Sequence, residues 1–276
     1  KPTLTGNGAN FILKVENTNS VVLDNFEING GDANSFEYGV LVNLSGSQSS
    51  PVELKNLKIK NIWNNGANAV GVESGSFIVM HDNTLNFFHK NGVRFVNSKG
   101  AVYNNTITGD TVDGSNRVQN LVNLRNGSVV EINNNILSHA ITLAPSSNTF
   151  DSSCIFVNAY PDGLASNANV HDNDISFCDV GILITSKLVN EDNSFATVLN
   201  NSFHNLNLAI SFEKDSGKAK IEGNTFEQVV KETNRTPVAE VPVYTYPTPV
   251  VIEPVESVKN EQEVVEVSNT EASETV

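Results

Sequence analysis

The sequence predicts an all-β protein, a parallel β-helix of about eight coils followed by a C-terminal tail without fixed structure. Three observations predict it. The pattern Val102-Tyr103-Asn104-Asn105-Thr106-Ile107 recurs, disguised, from near the first residue to about residue 226. Between its copies lies a second stretch that is apolar at alternate positions, the mark of a half-buried strand. Asn, Ser, Thr and Gly are abundant while Lys, Arg, Met and Trp are scarce. Such a composition favours turns and β-structure, because Asn and Ser compete with helical hydrogen bonding.

Taken in order, the repeat begins with Leu23-Asp24-Asn25-Phe26-Glu27-Ile28 and Leu54-Lys55-Asn56-Leu57-Lys58-Ile59, which run in a slightly different register. The later copies centre on Asn83, Asn105, Asn135, Asn173, Asn201 and Asn224, each with an apolar residue three before and another two after. Asn25 and Asn56 are counted with these six as corner residues, since Asn tolerates the left-handed conformation that a sharp bend needs. Stacked, they would form an amide ladder. The alternating stretches include Gly39-Val40-Leu41-Val42-Asn43, Ala69-Val70-Gly71-Val72-Glu73, Gly92-Val93-Arg94-Phe95 and Gly181-Ile182-Leu183-Ile184-Thr185. Turn chemistry such as Ser74-Gly75-Ser76 or Asn126-Gly127-Ser128 follows most of them. One unit therefore reads strand, turn, strand, Asn corner, strand, variable loop. Three short strands bury their apolar sides only by stacking on the next unit, which makes a rod rising ~4.8 Å per coil and ~35–40 Å long in all.

Residues 1–230 are assigned to the rod and 231–276 to the tail. In the tail five prolines interrupt a valine-rich run, and nine glutamates face Lys231, Arg235 and Lys259. That composition suits a disordered linker or tail. The opening Lys1-Pro2-Thr3-Leu4-Thr5-Gly6 reads as a mature product or as a chain cut from something longer. The formal charge of −14 speaks against a nucleic-acid partner. No apolar run reaches the ~20 residues of a membrane-spanning segment. Aligning Cys154-Ile155 with Gly181-Ile182 puts Cys178 about three residues ahead of the place above Cys154. The pair falls inside the ~4.4–6.8 Å Cα window of a disulfide or just beyond it, and two buried thiols are the other reading.

The Asn105-Thr106-Ile107 and Asn224-Thr225-Phe226 corners, with the Gly-Val-x-Phe strands between, resemble right-handed parallel β-helix proteins of the pectate-lyase-like superfamily, in particular NosD-type repeats. The resemblance covers residues from about 1 to 230 and implies the single-stranded, right-handed solenoid. It is poor in function, since that group holds lyases, hydrolases, epimerases, esterases, phage tailspikes and plain surface proteins. The Asn-Thr-Asp, Asp-Asp, Gly-His-Gly and Asp-Pro-His elements that it implies for several of these activities do not occur here.

Chemistry, if present, belongs on the outward residues of the Gly-Val-x-Phe strands. These form two rows. Leu41, Gly71, Arg94, Asn123, Phe156, Leu183 and Ser211 make the first. Asn43, Glu73, Asn97 (with one residue of slip), Arg125, Asn158, Thr185 and Glu213 make the second. A uronate lyase needs a cation on the sugar carboxylate and a base for the neighbouring C–H proton. Arg94 or Arg125 can supply the first, and Lys90, Lys99 or His89 the second. Glu73, Asn97, Asn123, Phe156, Asn158 and Tyr160 are the substrate-binding candidates, and the same charges read equally as a solvated network on an exposed sheet. No cofactor is expected. The stretch Gly109-Asp110-Thr111-Val112-Asp113-Gly114-Ser115-Asn116 is a poor match to a Ca²⁺ loop. His81 and His171 hold equivalent positions but lie three rungs, ~14 Å, apart, which excludes a shared metal site. The sequence thus points to an extracellular or cell-surface module that binds polysaccharide or a neighbouring surface protein without chemistry. A polysaccharide lyase and a rigid stalk of a larger adhesin or surface-layer protein are the alternatives.

Overall fold

The computed structural model describes residues 3–5, 10–31, 36–64, 66–110, 118–142, 152–159, 164–185, 194–213 and 217–234. Among them no helix forms and every strand pairing is parallel, apart from an isolated antiparallel bridge between Ser47 and Ser50. Each coil gives one strand to each of three faces, so the chain is a right-handed parallel β-helix. Face one runs from Phe11–Glu16 through Tyr38–Asn43, Asn68–Glu73, Asn91–Val96, Asn120–Arg125 and Ser153–Asn158 to Val180–Thr185. Face two includes Val52–Lys55, Phe77–His81, Lys99–Tyr103, Val129–Asn133, Asn167–His171 and Phe195–Leu199. Face three includes Glu27–Asn29, Lys58–Ile62, Thr84–Phe88, Thr106–Thr108, Ile136–Ser138 and Asp174–Ser176. The twelve-residue strand Ser202–Glu213 begins on face three and ends on face one, and Thr225–Thr233 pairs along it.

The alternation of the sequence becomes columns of like residues. Val40, Val70, Val93, Val122, Ile155, Ile182 and Ile210 are successive register partners on face one and all point inward. Leu54, Met80, Val102, Ile132, Val170 and Val198 do the same on face two. Ile59, Leu85, Ile107, Leu137, Ile175 and Phe203 line face three. Burying one such side chain contributes ~1.5–3 kcal/mol. Because each column repeats at one strand spacing, every coil supplies the surface that buries the next.

The Asn corner differs from expectation in one respect. The residue with positive φ is the one before the ladder asparagine: Asp82, Asn104, Asn134, Asp172, Asn200 and Gly223. Asn83, Asn105, Asn135, Asn173, Asn201 and Asn224 stand next to it with their amides along the rod. Each Nδ2 donates to the Oδ1 of the next rung at 2.9–3.0 Å, from Asn83→Asn105 to Asn201→Asn224. The same Oδ1 accepts the backbone N–H of the rung before, at 2.8–3.0 Å. Asn25 and Asn56 are not rungs of this ladder, because they are themselves the positive-φ residues and are exposed. Their places in the ladder are taken by Phe26 and Leu57, and Leu57 N–H donates to Asn83 Oδ1 at 2.8 Å.

The Ser-containing turns after face one form a second ladder. Ser45 N–H donates to Ser76 Oγ, Ser98 N–H to Ser128 Oγ and Ser166 N–H to Ser194 Oγ, all at 3.2–3.3 Å. Cys154 and Cys178 are joined by a disulfide with Cα atoms 5.8 Å apart. The last strand continues to Thr233, past the boundary expected at 230, and Asn234 ties its end to Phe212 N–H at 2.8 Å. The tail residues 235–276 lie outside the described residues.

Candidate functional site

Register places Leu41, Gly71, Arg94, Asn123, Phe156, Leu183 and Ser211 in one outward row of face one, as the alternation requires. In the second row Glu73 pairs with Val96 and Val96 with Arg125, so Val96 holds the place given to Asn97. Asn97 comes after the strand with φ 47° and turns the chain towards face two. A slip of one residue is not needed, and it would have moved every neighbour to the opposite side of the sheet.

The sequence reading missed the centre of this face, Tyr38. Its strand brings it into register with Asn68, Asn91, Asn120 and Ser153. Those four form a third ladder: Asn91 Nδ2 donates to Asn68 Oδ1 at 2.7 Å, and Ser153 Oγ to Asn120 Oδ1 at 2.8 Å. Tyr38 instead reaches along the rod. It donates its phenol to Glu73 Oε1 at 2.9 Å and accepts from Arg94 Nη2 at 2.7 Å. The same Nη2 closes the triangle on Glu73 Oε1. Arg94 also stands over the Tyr38 ring, 5.5 Å from its centroid, a cation–π contact. Gly71 makes this possible, because a Cβ there would sit 2.4 Å from Tyr38 Cε1. A glycine amid larger members of its row was the available signal.

Burial, more than any other influence, pushes the Tyr38 phenol above its ordinary pKa; nearby Arg94 opposes this and Glu73 adds to it. Tyr38 therefore keeps its proton at neutral pH, and its O–H is already engaged as a hydrogen-bond donor to Glu73. Glu73 in turn is neutralised by Arg94. The side chains of Arg94 and Glu73 are 17% and 26% exposed, so the pair is half-buried rather than part of a freely solvated network. Further along the face Asn123, Asn158, Leu183 and Thr185 are buried, which corrects the expectation of an exposed sheet there. Asn158 donates to Asn123 Oδ1 at 3.2 Å and Asn123 to Asn91 Oδ1 at 2.9 Å.

The proposed bases do not converge on Arg94. Lys90 precedes the strand and lies four residues, ~13 Å along an extended chain, from Arg94. His89 is one residue further and its Nδ1 contacts the Asn64 carbonyl at 2.8 Å. Lys99 opens a face-two strand, beyond a corner. Arg125 stands one rung on and two residues along, and Phe156 is half-buried in the first row. Tyr160 and residues 111–116 of the candidate Ca²⁺ stretch lie outside the described residues.

Face two carries two further polar clusters. His81 sits between Glu53 Oε1 (2.9 Å) and Asp82 Oδ2 (2.7 Å), with its ring stacked on Tyr103 at 4.9 Å. Three rungs on, His171 sits between Glu131 Oε1 (3.0 Å) and Asp172 Oδ2 (2.7 Å). The hydrogen bond to Glu131, and secondarily that to Asp172, holds His171 above the ordinary histidine pKa against the opposing effect of burial. Among the described residues no group of three or more His, Cys, Asp or Glu side chains is placed to hold a metal ion, and no helix is long and apolar enough to cross a membrane.

No family model matches the sequence, and no curated protein does. Among solved structures, the crystal structure of an alginate lyase from Paenibacillus sp. str. FPU-7 aligns with 75% of this chain and 80% of its own, at 14% identity and a TM-score of 0.43. Likeness at that level says nothing of a shared activity.

Proposed function

We propose that the protein is an extracellular or cell-surface rod that binds polysaccharide without chemistry of its own. The observation that carries this reading is the closed triangle of Tyr38, Glu73 and Arg94. Elimination from a uronate needs a cation free to meet the sugar carboxylate and a base free to take a proton. Here the cation is matched by the protein's own carboxylate, and the nearest phenol is held protonated. The disulfide supports an oxidising compartment, and the low count of basic residues disfavours polyanionic nucleic acid. In this reading the Pro-, Val- and Glu-rich residues 235–276 serve as a spacer, and the Asn-Thr-Ile and Asn-Thr-Phe corners reflect kinship with NosD-type rods.

The test is depletion of the full chain from solution by insoluble glycans, scored against an inert resin. Saturable depletion by at least one glycan is expected. Equal loss to resin and glycan across the panel would remove the proposal.

A further inference from the structure

We propose that face three, between the Thr84 and Ser176 rungs, is the docking strip for a neutral, extended glycan lying along the rod axis. The inference rests on the glycan-binding reading and assigns it a surface and a ligand class.

The first observation is the surface itself. Register stacks Thr84 on Thr106, and Asn86 on Thr108, Ser138 and Ser176. Over three successive coils these positions are uncharged, in a chain of net charge −14: Thr84 and Asn86, Thr106 and Thr108, then exposed Ile136 beside buried Ser138. Charge returns only at the two ends: Lys58 and Lys60 with Glu27 on one side, Asp174 with His204 on the other. Neutral hydroxyl and amide groups on two coils, followed by an apolar side chain on the third at the same ~4.8 Å rise, suit a polymer with both hydroxyls and C–H faces. That rise is close to the length of one residue in an extended β-linked glycan. Among the described residues these three strands carry no lysine or arginine for a polyanion to meet.

The second observation is independent and lies along one margin. On face three the residue that follows the register column Lys60, Asn86, Ser138, Ser176, His204 and Glu227 has positive φ, whereas its equivalents Gly30 and Gly109 in two other coils do not; Asn61, Asn205 and Gln228 fill the place in three coils. In others the residue is Phe87 (φ 54°), His139 (66°) or Phe177 (52°). A bulky side chain in the left-handed region is strained, and Asn would adopt it at less cost. Burial does not recover that cost, since Phe87 and Phe177 are 41% and 44% exposed. His139 stacks on Phe177 at 5.0 Å and Phe87 stands two rungs back with Gly109 between, so rings flank the strip near both of its ends, and exposed Ile136 lies within it in register with Thr106. Strain kept at exposed aromatics points to a ligand that uses them, and sugar C–H faces pack against such rings while their hydroxyls meet Thr and Ser.

The decisive variant is Phe87→Asn with Phe177→Asn in the full chain. It replaces strained residues by one that suits the conformation, so melting temperature should hold or rise. Retention on cellulose and chitin should fall about tenfold or more. Retention that survives Phe87→Asn/Phe177→Asn, or that occurs on alginate alone, overturns the assignment to this strip and leaves glycan binding standing. No retention of the unaltered chain on any glycan, alginate included, sinks glycan binding itself and this inference with it.

Discussion

Replacing Asn135 by Ala cuts the Asn ladder at its middle. The Asn135 Oδ1 accepts the Asn105 N–H at 3.0 Å, and that donor has no alternative partner in the corner. The Asn135 Nδ2 lies 2.9 Å from the carbonyl oxygens of Val102 and Asn133. Asn105 Nδ2 keeps its bonds to Met80 and Tyr103, and Asn173 Oδ1 keeps the Asn135 N–H, so those groups are not orphaned. About two buried groups are left without a partner, at ~1–3 kcal/mol each, which gives a loss of roughly 2–6 kcal/mol. For a rod of this size, at ~2–4 °C per kcal/mol, that is a fall of about 4–24 °C in melting temperature. Thermal unfolding followed by circular dichroism measures it. Asn56→Gly is the paired control. Asn56 is an exposed corner residue with φ 53° that donates to Asp24 at 2.8 Å and is no rung of the ladder; Gly keeps that conformation, so the loss should stay below about 1 kcal/mol. Equal effects of the two substitutions, or a shift under ~2 °C for Asn135→Ala, would refute the assignment of rungs and corners.

Three other outcomes follow from the same coordinates. Gly71→Ala puts a Cβ 2.4 Å from the Tyr38 ring and should evict it, costing ~1–3 kcal/mol and altering the near-ultraviolet circular dichroism of tyrosine; an unchanged spectrum would mean the ring does not lie over Gly71. The Cys154–Cys178 bond closes a loop of sequence separation 24, so Cys154→Ser/Cys178→Ser should lower stability by roughly 3–4 kcal/mol, read from denaturant midpoints, and no change would show the bond to be energetically idle. His171 has a folded pKa raised by Glu131 and Asp172, so its contribution is fully present below the unfolded value of ~6.5 and is lost as pH rises through the folded value. The deficit of His171→Asn should accordingly be largest just below that pH and shrink on the alkaline side. A deficit that grows with pH would reverse the assigned sign.

Fold and inward columns were legible in the sequence because both depend on residues near one another in the chain. Alternation sets which side of a strand is buried, and Val102 and Ile107 flank their corner within six residues. The first outward row followed from the same alternation. What failed was reach between coils. Asn25 and Asn56 look like ladder residues because Asn serves both the bend and the ladder, and only the stacked coil separates the two uses. Ser76 and Ser128 read as turn formers, yet their hydroxyls tie one coil to the next. Tyr38 went unnoticed because its partners, Glu73 and Arg94, lie 35 and 56 residues away and meet it only across two rungs. The positive φ at Phe87, His139 and Phe177 left no local mark either, since aromatic residues ordinarily avoid that conformation.

The most direct test of a rod that binds without chemistry is a progress curve. The full chain is incubated with a panel of polyuronates while ultraviolet absorbance is followed for the unsaturated product of β-elimination. With Glu73 matched to Arg94 and Tyr38 held protonated, the account predicts a trace that stays flat on every substrate. A steady rise that disappears in Arg94→Ala or Arg125→Ala would contradict it and make this face an active site.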